Sequence, residues 1–119
     1  MTISNRIIIS GKVVSGLGEG RYYVEKYQPY FIQKLGYACF LGTLNLRIKE
    51  PVKLPDNKKI SLKPPEGGQV DCYPVIIDKA FKGAIVVPHK SKHGKDIVEI
   101  VSPVCLRKVL GSEIKCELE

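Results

Sequence analysis

The chain has 119 residues, with 19 Lys and Arg against 12 Asp and Glu for a formal charge of +7, and 44% of it is hydrophobic. That balance describes one globular domain over 1–119 and excludes a disordered chain, while no apolar run approaches the ~18 residues needed to cross a bilayer. The opening Met-Thr-Ile-Ser-Asn-Arg lacks the apolar stretch of an export signal, so a cytoplasmic protein is expected.

Arg6 to Val14 is rich in β-branched residues and predicts a strand, with Gly11 marking a bulge. Gly16, Gly18 and Gly20 then alternate with Leu17 and Glu19, and Arg21 closes the run. Alternate glycines let backbone N–H groups turn toward one point, a concavity suited to phosphate, and an arginine at its rim adds a planar fork of donors. Standing alone, the same run reads more readily as a glycine-rich hairpin turn. Tyr22 to Val24 resumes an extended run, and Pro29 opens a short helix to Leu35, with Phe31 and Leu35 on one face and Gly36 as its stop.

Residues 43–48 give the cleanest alternation in the chain. Leu44, Leu46 and Ile48 face one side of a strand, and Thr43, Asn45 and Arg47 the other. Pro51 to Gly68 holds four prolines and reads as loop with one short strand at Ile60 to Leu62. Strands follow over Val70 to Ile77, Phe81 to Val87 and Asp96 to Val101. Ser102-Pro103 reads as an N-cap and first position of a second helix running to Leu110, and Glu113 to Leu118 alternates once more. About six to eight short strands with two short helices predict a mainly β protein, a compact barrel whose closure removes exposed edges.

The basic charge suits nucleic acid, an anionic surface or a phosphate-rich ligand. The lysines are scattered over 49–63 and 90–95 and form no unbroken block. Cys39, Cys72, Cys105 and Cys116 lack the close spacing of a zinc or redox pair, and read as reduced, packed thiols. His89 and His93 lie four apart in a basic loop that is not helical, which argues against a zinc pair.

Thr43 and Asn45, two apart on a strand, would stand side by side as neutral oxygen donors of the kind Mg²⁺ accepts. On spacing alone they read first as a polar pair on a solvated face. Ser91 is the only hydroxyl of the basic loop, and Glu99 sits in the strand that leaves it. The first N–H groups after Ser102 could hold a phosphate or a base edge. There is no Gly-x-x-x-x-Gly-Lys-Ser/Thr run and no kinase signature, so any nucleotide must be held by other means.

Four runs in order, 11–23 (Gly-Lys-Val-Val-Ser-Gly-Leu-Gly-Glu-Gly-Arg-Tyr-Tyr), 42–46 (Gly-Thr-Leu-Asn-Leu), 83–88 (Gly-Ala-Ile-Val-Val-Pro) and 96–107 (Asp-Ile-Val-Glu-Ile-Val-Ser-Pro-Val-Cys-Leu-Arg), resemble the archaeal CTP-dependent riboflavin kinases. The resemblance implies a six-stranded cradle-loop barrel that transfers the γ-phosphoryl of CTP to the 5′-hydroxyl of riboflavin; a monomer is expected, with neither nucleic acid nor a membrane as partner. By position it implies nucleotide contacts at Gly16, Leu17, Gly18, Glu19, Gly20 and Arg21, and again at Val104, Cys105, Leu106 and Arg107. It places one Mg²⁺ on Thr43 and Asn45 and the flavin on Ser91 and Glu99. Serine at 91 departs from the family's threonine, and the turn at 110–116 is shorter than the family's. Arg21 is the candidate for transition-state charge, a role that an unchanged kcat/KM for CTP in Arg21→Ala would exclude. The rivals are a non-catalytic basic barrel binding nucleic acid, which leaves the spaced glycines unexplained, or a barrel that stores flavin without turnover.

Overall fold

The computed structural model describes residues 7–14, 20–50, 52–65, 67–89, 96–106 and 111–119. In chain order these form β1 (Ile8–Val14), α1 (Gly20–Leu35), β2 (Leu44–Arg47), a 3-10 turn (Asp56–Lys58), β3 (Ile60–Leu62), β4 (Val70–Ile77), β5 (Phe81–Pro88), β6 (Ile97–Val101) and β7 (Glu113–Leu118). Every pairing is antiparallel. The order β4-β5-β6-β2-β1-β7 closes on itself because β7 pairs back to β4, so the expected six-stranded barrel is present. β4 supports this closure by changing partner along one edge: Val70 to Cys72 pair with β3, and Val75 to Ile77 pair with β7.

The near-continuous apolar runs of β4 and β5 follow from burial on both faces. In β4, Tyr73, Val75 and Ile77 enter the barrel interior, while Val70 and Cys72 join a second core beneath α1. β5 repeats the division, with Ile85 inside and Ala84 and Val86 outward. The barrel thus has two apolar layers built from alternate residues of the same strands. Three of the cysteines, Cys39, Cys72 and Cys116, are buried in these layers, and all four are free thiols. Burial pushes the thiols of Cys39, Cys72 and Cys116 up to about 12, as expected of packing residues.

Three local expectations are corrected. The helix does not begin at Pro29: α1 spans 16 residues from Gly20, takes in Tyr22 to Val24, and carries Pro29 in its interior. Val24, Tyr27 and Phe31 are its buried residues, spaced three and four apart, and their stripe on the sheet outweighs the backbone hydrogen bond that Pro29 removes. Gly11 is no bulge, since the register to β7 runs through it unbroken, opposite Ile114. A Cβ there would lie 2.8 Å from the Arg47 carbonyl oxygen, so glycine serves close strand approach. The second helix does not begin at Ser102 and Pro103, since residues 102–105 are not helical and Leu106 is the first that is, while 107–110 lie outside the described residues. Gly36 at φ +86° follows the end of α1, as a C-terminal stop requires.

Candidate active site

β2 is the centre of the site. Leu44 and Leu46 point into the barrel interior, so Asn45 points outward, toward the layer under α1. There it is not solvated, because Asn45 is 4% exposed. Its Oδ1 has no hydrogen-bond partner among the described residues. A buried acceptor left in that condition costs about 1–3 kcal/mol, so the solvated-pair reading of Thr43 and Asn45 does not hold. The orphaned oxygen beside a threonine hydroxyl fits a hard cation, which prefers such neutral oxygen donors.

The glycine run is tied to this pair at both ends. Val14, the last residue of β1, lies opposite Asn45. Gly20, the first residue of α1, is so close to Thr43 that a Cβ on it would stand 2.6 Å from the Thr43 Oγ1. Only glycine permits that approach. The start of α1 is thereby seated on Thr43, bringing unpaired N–H groups and the positive end of the helix dipole to the oxygen pair. Its first turn contains no acidic residue. Arg21 is exposed at this helix start. Gly16, Leu17, Gly18 and Glu19 lie outside the described residues.

Glu99 is partly buried directly across from Asn45 on β6, and Val86 and then Cys72 continue the same row on β5 and β4. α1 covers the row. Its Tyr23 hydroxyl is buried with no partner among the described residues. Burial pushes the Tyr23 phenol well above its ordinary value, with the Cys72 thiol and the Glu99 carboxylate adding to the shift. The group therefore stays a neutral donor. Ser91 lies outside the described residues.

On the other side of Thr43 opens a cleft of about 100 Å³ lined by Phe40, Gly42, Ser102, Val104, Cys105 and neighbours, Leu106 among them. Ser102 Oγ donates to the Lys82 carbonyl oxygen at 2.6 Å and accepts from the Val104 N–H at 3.4 Å, which ties the segment after β6 to β5. Val104 is half exposed and Leu106 is buried in the barrel interior, while Arg107 lies outside the described residues. Gly20, Thr43, Asn45, Glu99 and Val104 to Leu106, up to 86 positions apart in the chain (106 − 20), thus meet around one end of β2.

Sequence reasoning missed Tyr23, Phe40 and a further polar cluster. Asp71 is 8% exposed. Its carboxylate accepts from Ser61 Oγ at 2.7 Å and Gln69 Nε2 at 3.1 Å, and lies 2.8 Å from His89 Nε2. Burial acts to raise the Asp71 carboxyl, but the hydrogen bonds from His89, Ser61 and Gln69 outweigh it and hold it below its ordinary value. The stripe Val24, Tyr27, Phe31 could have exposed Tyr23 as helical. Phe40 lies in a loop, where no periodicity marks a residue.

Among the described residues, then, the protein is a closed antiparallel barrel whose unpartnered buried side-chain atoms, Asn45 Oδ1 and the Tyr23 hydroxyl, lie under α1. A family model named CTP-dep_RFKase, described as "Domain of unknown function DUF120", matches residues 13–116. Curated relatives named riboflavin kinase include one from Thermococcus kodakarensis, 42% identical over 98% of this chain and 62% of the relative. Another, from Pyrococcus furiosus, is 44% identical over 89% of this chain and 54% of its own length. A third, from Methanocella arvoryzae, is 36% identical over 94% of this chain and 55% of its own length. The chain belongs to the CTP-dependent riboflavin kinase family, and it spans 54–62% of the length of these three relatives. Among the described residues, no helix is long and apolar enough to cross a membrane.

Proposed function

We propose that this chain transfers the γ-phosphoryl of CTP to the 5′-hydroxyl of riboflavin, giving FMN and CDP, as a cytoplasmic monomer. Family membership supports the acceptor and the donor. The observation that carries the reading is Asn45, whose buried oxygen has no partner among the described residues, two positions from Thr43, which lies against the start of α1. Phosphoryl transfer asks little covalent chemistry of a protein and depends on alignment and charge neutralisation.

In this reading Thr43 and Asn45 hold one Mg²⁺, which neutralises phosphate charge when bound. The amides of Gly16 to Gly20 and the guanidinium of Arg21 take the phosphates, and Val104 to Arg107 form the second wall of the nucleotide site. Ser91 and Glu99 hold the flavin, with Glu99 orienting the acceptor hydroxyl. The 5′-oxygen bonds to the γ-phosphorus as the bond to the β,γ-bridging oxygen breaks, CDP leaves with that oxygen, and the hydroxyl proton passes to solvent.

The test is incubation with riboflavin, Mg²⁺ and, separately, CTP, ATP, GTP and UTP, with FMN resolved from riboflavin. FMN formed with CTP and not with the others is the expected result. No FMN with any nucleotide would overturn the reading.

A further inference from the structure

Phe40 is an exposed aromatic on a backbone that is tied down at each residue around it. Gln28 of α1 donates from Nε2 to the Cys39 carbonyl at 2.7 Å and accepts from the Cys39 N–H at 2.8 Å. The Phe40 N–H donates to the Ser102 carbonyl at 2.7 Å, and the Phe40 carbonyl accepts from the Gly42 N–H at 2.9 Å. The side chain nevertheless belongs to neither apolar core and is 44% exposed. Its ring edge lies over Gly42, where a Cβ would be 3.4 Å from Cε1. A held backbone that presents an aromatic to solvent contributes little to burial, and its place at the mouth of a cleft gives it another use.

That cleft runs from Phe40 to Val104, itself 39% exposed, with Thr43 at its inner side. The cleft thus joins the apolar Phe40 and Val104 to Thr43, whose Oγ1 lies against Gly20 at the start of α1. A nucleotide has the same polarity, a flat π-surface at one end and phosphates at the other. We propose that Phe40 stacks on the base of the donor nucleotide, holding it against Val104 with its phosphates toward Thr43 and Gly20. This rests on the kinase reading for the identity of the nucleotide and adds the residue that grips its base. Stacking of this kind tolerates any base, because each has a π-face, so Phe40 supplies affinity and leaves the choice of cytosine to polar groups.

The chain has no tryptophan, so Phe40→Trp places a single fluorescent reporter at the position in question. Its emission should be quenched by CTP and CDP in the absence of riboflavin, and left unchanged by inorganic tripolyphosphate. Phe40→Ala should raise KM for CTP by roughly 5- to 150-fold, the range expected for one stacked base, with riboflavin affinity unchanged, and Phe40→Tyr should restore KM. Unchanged KM in Phe40→Ala overturns the proposal, as does quenching by tripolyphosphate equal to that by CTP. Retained riboflavin binding in Phe40→Ala shows that the variant is folded. If wild-type protein makes no FMN while CTP still quenches Phe40→Trp, the kinase reading fails and the stacking contact stands.

Discussion

Two buried polar sites lie on opposite faces of the barrel wall, Asp71 on the face of Tyr73 and Asn45 under α1, and they differ in how their polar atoms are satisfied. Asp71 is surrounded by donors: Ser61, Gln69 and His89 all reach its carboxylate. Asn45 and Tyr23 each bury a polar atom with no partner among the described residues. Both arrangements are costly to bury, but the first recovers its cost within the fold and the second does not. A satisfied cluster is a structural joint between β3, β4 and the end of β5. An unsatisfied one, near a helix start in a family of phosphotransferases, is where the proposed function puts its ligand.

The largest expected effect separates the two by activity. Asn45→Leu removes the orphaned oxygen while keeping similar volume. It should lower kcat/KM for FMN formation by at least about 100-fold, the scale for deleting one preorganised electrostatic contact. Its urea midpoint should hold or rise, because no internal hydrogen bond is lost. A variant with near wild-type turnover would show that Asn45 is merely a badly satisfied core residue.

Asp71→Ala should do the reverse. Three donors lose their acceptor, and stability should fall by about 2–3 kcal/mol in urea titrations, while kcat in the folded protein stays near wild type. The folded carboxyl lies below its ordinary value, so its contribution is present above the unfolded value of ~3.9 and is lost as pH falls through the lower folded value. The stability gap between wild type and Asp71→Ala should therefore be full at pH 7, begin to narrow below about pH 5 and go on narrowing as pH falls through the lower folded value. A gap that widened on acidification would contradict the assigned direction. Ser61→Ala removes one of the three donors and should cost about 1 kcal/mol in the same titration.

Much of this contrast was invisible in the sequence for a physical reason. Strands declare themselves by local alternation, so Ile60 to Leu62, Val70 to Ile77 and Glu113 to Leu118 were legible as strands residue for residue. Thr43 and Asn45 were legible as a pair because a two-residue spacing on one strand is local too. Asp71 and His89 are 18 residues apart and Ser61 is 10 from Asp71, so their meeting depends on strand register, which no single segment encodes. The same holds for Asn45 opposite Glu99. The helix start was misplaced because Pro29 is a local signal of a first turn, whereas burial of Val24, Tyr27 and Phe31 is a tertiary gain that overrides it.

The smallest expected effect is the sharpest test of the contrast, because its sign is opposite to the usual one. Tyr23→Phe deletes a buried hydroxyl and nothing else, leaving the ring that packs 5.0 Å from Tyr27 and 6.3 Å from Phe31, centroid to centroid. If the hydroxyl has no partner in the free protein, its removal relieves a desolvation cost, and the urea midpoint should rise by up to about 1 kcal/mol in stability. A loss above about 1 kcal/mol would mean that the hydroxyl is satisfied within the fold, as Asp71 is, and the two sites would then belong to one kind. The stabilisation should also shrink when the titration is repeated with saturating riboflavin if the phenol gains a ligand partner there. Ligand linkage then favours the wild-type protein, whose extra hydrogen bond is made only in the complex. Equal stabilisation with and without riboflavin would leave Asn45 as the unsatisfied atom that serves the reaction, and Tyr23 as a residue of the α1 core.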